Sequence, residues 1–249
     1  MTGDLSSRTV GPARRRRRVG LDPARAVRPR WLRVAGWLWV GVSVFYALFA
    51  FAVAAATVAA LVASAGPEST RAAPPLFAAH AVTGGLALLA VSVQLLLAAP
   101  PPHTRRHRHR VLGTGYVLAV AATCMLSVPV VAAFRVDALT KASFLGEATL
   151  WLLTTAIAYA RIRAGRVAQH REWMIRSFAL AAFFVTFSLW DPVMAATPLD
   201  PATGYRTAVL LAWSLNLLAA EAWIRRTRAA ATGPAGPGRR SGPTGRRSV

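Results

Sequence analysis

Two long stretches without charge constrain this chain more than any other feature of its sequence. Residues 34–67 carry no side chain that is charged near neutral pH, and residues 72–102 contain His80 as their single titratable group. Both stretches exceed the ~20 residues that an α-helix needs to cross a bilayer. The sequence therefore predicts an integral membrane protein.

The composition agrees with a membrane protein and excludes several soluble classes. Apolar residues make up 55% of the 249-residue chain and charged residues 16%, whereas soluble domains keep roughly a quarter of their residues charged. The single cysteine, Cys124, excludes a disulfide framework, a thiolate zinc site and an iron–sulfur cluster within one chain. No GxSxG, GxxxxGK[ST] or GxGxxG motif occurs, which argues against soluble hydrolases, kinases and dehydrogenases.

Apolar runs predict an all-α, polytopic helical bundle with six transmembrane helices. The predicted spans are 34–62, 76–99, 111–134, 142–160, 173–190 and 206–224. They form one membrane domain, residues 34–224. The flanking segments, a basic N-terminal arm at 1–33 and a tail rich in Gly, Pro and Arg at 225–249, are predicted to be disordered.

The distribution of Lys and Arg predicts the orientation of the bundle. On one side, the N-terminal arm holds ten basic residues, segment 103–110 four, segment 161–176 five and the tail seven, which makes 26, against four on the other side. Because basic residues are retained in the cytoplasm during insertion, we expect both termini to be cytoplasmic. The expected location is a bacterial plasma membrane, crossed several times.

The basic arms also indicate a partner. Runs such as residues 14–18 could bind nucleic acid, but no aromatic residue is interleaved with that block. Attraction to anionic lipid headgroups, about 1 kcal/mol for each basic residue near the surface, explains the pattern without nucleic acid. We therefore expect the lipid bilayer and its anionic headgroups as partners, and no nucleic acid.

Three polar residues in or directly after the predicted spans fall near the outer face. They are His80, Glu147 and Asp191, and an ionisable group at such a position costs ~2.5 to 3.5 kcal/mol unless it has a partner or a purpose. One imidazole and two carboxylates could bind a divalent metal ion or a proton. Alternatively, His80 and Glu147 satisfy each other across a helix interface, and Asp191 caps the turn before Pro192 in headgroup water.

A second group lies at the cytoplasmic ends of the spans and suggests a haem site. His109 and His170 begin spans that run in the same direction, so they could ligate one b-type haem from opposite sides, with Gly113 leaving room for the ring. Arginine pairs with carboxylates in a bidentate manner, so the haem propionates could be held by Arg110, Arg171 or Arg176. The alternative is that these residues anchor the helices at the interface.

Several of these residues form a pattern that resembles a known family. The pattern consists of His80, Gly84, Gln94, then His109, Arg110, Gly113 and Tyr116, then His170, Arg171, Trp173, Met174, Ile175, Arg176, Ser177, Ala179 and Leu180. It resembles the bacterial predicted membrane proteins called domain of unknown function 2306, over roughly residues 40–222. The chain departs from that pattern at Ala181, where a threonine is usual, and at Ser188, where an arginine is usual. More loosely, the bundle is similar to transmembrane cytochrome b proteins of the ferric reductase type, but it lacks their fourth-span histidine.

Three functional hypotheses follow from the residues. The first is a redox or proton-linked membrane component that holds one haem b and meets a quinone or another redox partner. The second is a protein without enzymatic activity that transports or binds an ion, a proton or a lipid. The third is a structural partner in a membrane assembly, in which no polar residue inside the membrane matters to activity.

Overall fold

The computed structural model describes residues 30–63, 73–96 and 103–232, and within these ranges all regular structure is helical. The prediction of an all-α chain is therefore confirmed. Most of the two predicted disordered arms lies outside the described residues. The described helices are α1 Arg30–Ala63, α2 Ala73–Leu96, α3 His103–Ala133, α4 Ala138–Arg163, α5 Val167–Ala181, α6 Phe183–Ala195 and α7 Pro201–Thr232.

Four of these helices are long and apolar enough to cross a membrane. Their candidate spans are Trp37–Ala56, Pro75–Gln94, His107–Ala133 and Pro201–Ala230. Helices α5 and α6 meet the same criteria when they are taken together, which raises the number to five. Helix α4 is not among the candidates although it has 26 residues. The membrane-helical class is thus established, and the count of six remains a prediction.

Helix α4 carries several polar side chains on its inward face. Thr140, Ser143, Thr154 and Thr155 are all buried, as is Glu147. Helix α4 packs against α3, α5 and α7, so these side chains meet protein rather than lipid. A hydropathy average counts such residues as polar wherever they point, and this lowers the value for α4.

The fifth predicted span, 173–190, is interrupted where α5 ends and α6 begins. The two helices meet at Ala182 with a bend of 41°, and neither proline nor glycine lies at the junction. A side chain inserted into the ladder of backbone hydrogen bonds can cause such a kink. Here Asn216 of α7 donates from Nδ2 to the carbonyl oxygen of Ala179 and to Oγ1 of Thr186, both at 3.0 Å. This amide takes the place of a backbone donor at the break.

Helices α5 and α6 run along α7 as one antiparallel segment. Contacts between them follow each other in order from one end of α7 to the other: Arg176 with Glu221, Thr186 with Ala212, and Met194 with Gly204. A re-entrant loop would turn back and reverse this order. The bent pair therefore has the geometry of one broken span.

Helix α1 joins the bundle mainly through α2. A Cβ added to Gly85 of α2 would lie 3.3 Å from Cβ of Ala50 and 3.4 Å from Cα of Ala47, so the two helices approach closely there. The hydroxyls of Ser43 and Ser92 form a buried hydrogen bond of 2.7 Å across the same interface. Small and hydroxyl residues of this kind are typical of contacts between membrane helices.

Two helices extend beyond the predicted spans. Segment 103–110, expected as a loop, forms the first turns of α3, because it contains neither proline nor glycine and its basic side chains suit a helix that extends into water. Likewise the tail that was expected to be disordered from residue 225 is helical as far as Thr232, because its Ala and Arg residues favour a helix.

Candidate functional site: a buried carboxyl on α4

The inward face of α4 provides the main polar surface inside the bundle. Asp137 caps the helix, since its side chain accepts hydrogen bonds from the backbone amides of Leu139 and Thr140. From there the buried residues follow at helical spacing: Thr140, Ser143, Glu147, Ala148, Trp151, Thr154, Thr155 and Ala158. Residues three and four apart share one helix face, so this spacing forms one continuous stripe.

Glu147 is the exceptional member of the stripe. Its exposed fraction is 8%, and its Oε1 atom has no hydrogen-bond partner among the described residues. It lies nine residues after the first residue of α4, or ~14 Å along the axis. Buried polar atoms are nearly always paired, so a carboxyl oxygen without a partner marks a candidate site.

Trp151 and three hydroxyl side chains form a closed hydrogen-bonded ring. The indole Nε1 of Trp151 donates to the hydroxyl of Tyr116 at 2.9 Å. The Tyr116 hydroxyl lies 2.5 Å from that of Ser177, which in turn lies 2.7 Å from that of Thr155. Thr155 donates to the carbonyl oxygen of Trp151 at 2.8 Å, which completes the ring. This ring joins α3, α4 and α5.

His80 of α2 and Glu147 of α4 lie on two helices that both pack against α3. Its Nδ1 atom is 3.0 Å from the carbonyl oxygen of Thr123, so this nitrogen donates and Thr123 fixes the orientation of the ring. Cys124, the next residue, belongs to the same buried cluster as Ala148, the neighbour of Glu147. His80 and Glu147 therefore both lie next to α3 at a similar level.

The predicted outer cluster is not brought together. In the described part of the chain, no three side chains of His, Cys, Asp or Glu are arranged so that they could bind a metal ion. His80 bonds to Thr123, and Asp191 lies on α6, half-buried. The expectation that Asp191 caps a turn before Pro192 is also wrong, because α6 continues through Pro192 as far as Ala195.

The described structure gives no support to a haem at the inner residues. A Cβ on Gly113 would lie 3.0 Å from Nε2 of Gln94, so a side chain fills the gap that was expected to hold a ring. Between α3 and α5 the hydroxyls of Tyr116 and Ser177 meet directly, which closes the space that a porphyrin would need at that level. His109 is exposed at the end of the bundle.

The arginines predicted to hold propionates have other positions. Arg176 makes a bidentate ion pair with Glu221, with Nε–Oε1 and Nη2–Oε2 distances of 2.5 and 3.1 Å. Its guanidinium also lies 4.5 Å above the ring of Trp173. Arg110 and Arg171 are exposed. The ring of His170 is oriented by a hydrogen bond of 2.8 Å from Nδ1 to the carbonyl oxygen of Ala158.

The residues of the ring were only partly visible in the sequence. Tyr116 shares a helix face with Gly113 and Ser177 belongs to the family pattern, but Thr155 is a common residue in membrane helices and nothing in the sequence relates it to either. The available signal was the spacing of polar residues at the start of α4, where Thr140, Ser143 and Glu147 lie three and four residues apart. Such a spacing indicates a polar helix face but does not identify the opposite side chains.

Apolar helices packed around a buried polar stripe that contains a carboxyl define a class, the polytopic α-helical membrane proteins with an ionisable group inside the bundle. The chain belongs to the family described as predicted membrane protein (DUF2306), whose model matches residues 77–224, more than half of the chain. This confirms the main resemblance seen in the sequence. No curated protein matches the chain, and no solved structure does.

Proposed function

We propose that this chain is a proton-binding membrane protein without enzymatic activity, and that Glu147 is its proton-binding group. The observation that carries the proposal is the buried carboxyl with an unpartnered oxygen on the inward face of α4. Ionisable residues inside membrane bundles are expensive, and they typically belong to ion or proton pathways. A carboxyl can bear this cost in its neutral form and release a proton when its surroundings change.

The surroundings of Glu147 favour a proton over a metal ion. Several titratable and charged side chains lie on the helices packed against α4. Cys124 and Tyr116 of α3 lie in the same core as the stripe, and Cys124 is close enough to Glu147 to interact with it electrostatically. Arg176 of α5 pairs with Glu221 of α7, Tyr205 of α7 packs on Phe144, and Nη1 of Arg206 of α7 lies 3.7 Å from Oδ1 of Asp137. None of these groups pairs with Glu147 among the described residues. A single carboxyl suffices for a proton, whereas a divalent ion needs several ligands.

The proposal includes six crossings with both termini in the cytoplasm. Helix α4 counts as a crossing because short connections link it to α3 and α5 and its polar side chains face protein. The bent pair α5–α6 counts as one crossing because its contacts along α7 follow a single direction. Exposed arginines at the ends of α3, α4, α5 and α7 then face the anionic headgroups of the inner leaflet.

A haem between His109 and His170 is not part of this proposal. Gln94 occupies the space beside Gly113, and Arg176 is committed to Glu221. An alternative role for these residues is to anchor the helices at the interface, where Arg, His and Trp side chains bridge lipid and water.

Infrared spectroscopy tests the proposal directly. The protein is reconstituted in lipid nanodiscs and titrated with acid and base while the carbonyl stretch of protonated carboxyls is followed. Wild type should show a titrating band that is absent from Glu147→Gln. Glu172→Gln serves as a matched control, because Glu172 pairs with Arg228 near the end of the bundle, and this variant should keep the band. An unchanged titration in Glu147→Gln would overturn the proposal.

A further inference from the structure

The polar stripe of α4 extends to both sides of Glu147, and the two sides differ in their hydrogen bonding. We define the Asp137 end as the end of the bundle where α4 begins and the His170 end as the end where α4 leads into α5. The Trp151, Tyr116, Ser177 and Thr155 ring lies between Glu147 and the His170 end. Thr140 and Ser143 lie between Glu147 and the Asp137 end.

The donor and acceptor of each hydrogen bond in the ring can be assigned because each hydroxyl has one proton to donate. Thr155 has one hydroxyl proton, which it donates to the carbonyl oxygen of Trp151. Ser177 must therefore donate to Thr155, and Tyr116 must donate to Ser177. The Tyr116 oxygen accepts from the indole of Trp151. Every donor of the ring is used within the ring, which begins and ends on Trp151.

Such a ring is a barrier to protons and water. A hydroxyl chain can pass a proton only if one end can accept it from outside and the other can release it, and this chain closes on itself. Tyr116 and Ser177 are 0% exposed and Thr155 is 2% exposed, so solvent does not reach the ring. Leu180, also 0% exposed, packs in the same cluster as Tyr116 and Trp151. The route from Glu147 to the His170 end is closed.

The Asp137 end retains unused hydrogen-bonding capacity. Ser143 accepts a hydrogen bond from Nε1 of Trp213 at 3.0 Å, and among the described residues its own hydroxyl proton has no acceptor. Thr140 donates to Oδ2 of Asp137 at 2.6 Å, and Asp137 is exposed. Thr140 is 0% exposed and Ser143 6% exposed, so these side chains are buried too, but they follow one another along the same face of α4 from the exposed Asp137 to Glu147 and do not close into a ring.

We infer that Glu147 exchanges its proton with the Asp137 end alone, and that the ring of Trp151, Tyr116, Ser177 and Thr155 is the gate that closes the His170 end. This inference rests on the proposed function of Glu147 as a proton-binding group. A transport cycle then requires the ring to open when the proton leaves toward the other side. Opening breaks hydrogen bonds that join α3, α4 and α5, so it moves these three helices relative to one another.

Cysteine accessibility tests the gate. In a Cys124→Ala background, Glu147→Cys is exposed to methanethiosulfonate ethyltrimethylammonium, which does not cross membranes, on one side of sealed vesicles at a time. Leu139→Cys and Val167→Cys report the two sides, because both positions are exposed and lie at the Asp137 end and the His170 end of the bundle. Glu147→Cys should be modified from the side that modifies Leu139→Cys and not from the side that modifies Val167→Cys.

Variants of the ring complete the test. Tyr116→Phe in the Glu147→Cys protein should add modification from the Val167→Cys side, and Thr155→Val should do the same if the tyrosine variant fails to fold. Modification of Glu147→Cys from the Val167→Cys side with the ring intact, or from neither side, overturns the inference. The infrared titration separates this result from a failure of the proposed function, because loss of a titrating band concerns Glu147 itself and not the gate.

Discussion

Arg176 of α5 and Glu221 of α7 form a bidentate ion pair, with the guanidinium stacked on Trp173. The side chains are only 15% and 32% exposed, so water screens the pair less than it would at an open surface. The pair fixes the register of α5 on α7 two turns before the break at Ala182. This position makes the pair a structural tie between the two helices, where the sequence had suggested a cofactor contact.

Removal of one partner of this pair should destabilise the protein. We expect Arg176→Gln to lower the free energy of unfolding by about 2 kcal/mol, less than for a fully buried pair because Glu221 retains some solvent. The measurement is unfolding in mixed micelles followed by tryptophan fluorescence. Glu172→Gln should have a smaller effect, because Arg228 is 61% exposed. A double variant, Arg176→Gln with Glu221→Gln, should recover part of the loss. Equal effects of Arg176→Gln and Glu172→Gln would contradict this assignment.

The bend between α5 and α6 should depend on Asn216. Asn216→Ala leaves the carbonyl oxygen of Ala179 without its side-chain donor, which should cost about 1 kcal/mol of unfolding free energy. Ser214→Ala is the matched control, since that hydroxyl bonds to Leu210 within its own helix. Thermal unfolding in detergent compares the two variants. Equal stability of the two would show that the amide does not hold the break.

Close approach of α1 and α2 makes Gly85 sensitive to added volume. Gly85→Ala places a methyl group 3.3 Å from Cβ of Ala50 and near the backbone of Ala47, so we expect a loss of about 1 to 3 kcal/mol. Gly115→Ala on α3 meets nothing within 4 Å and should be neutral or slightly stabilising. Thermal unfolding of both variants checks the difference, and a stable Gly85→Ala protein would contradict the helix contact.

The cap of α4 should contribute a component of stability that disappears in acid. Hydrogen bonds from the side chain and backbone of Thr140 lower the pKa of Asp137 from its ordinary value. Because the folded-state pKa is depressed, the stabilisation is present above the unfolded-state pKa and is lost as the pH falls through the folded-state value. Asp137→Asn can still cap the helix, so it should keep its stability near pH 7 and show a weaker decline in acid. An acid unfolding curve identical to that of wild type would argue against this role.

The sequence was sufficient to identify the most apolar helices, because a long apolar run predicts a membrane helix whichever helices pack against it. It was less informative for α4, whose polar residues lower its hydropathy although they point into protein. Similar depth for His80 and Glu147 followed from counting along the helices. The hydrogen-bond partners of these side chains could not be predicted in the same way, because a bond such as that between Tyr116 and Ser177 joins residues 61 positions apart. The break at Ala182 was also invisible, since its cause lies on α7.

The inward orientation of the polar face of α4 has a consequence for biogenesis. A segment with this composition gains little free energy when it moves by itself from the translocon into lipid, because its Glu, Ser and Thr side chains would then meet acyl chains. Once α5 follows, Thr155 meets the hydroxyl of Ser177, and α7 then brings the indole of Trp213 to Ser143. We therefore expect α4 to be integrated together with its neighbours during synthesis, so that truncation of the nascent chain after Arg163 leaves this segment poorly inserted.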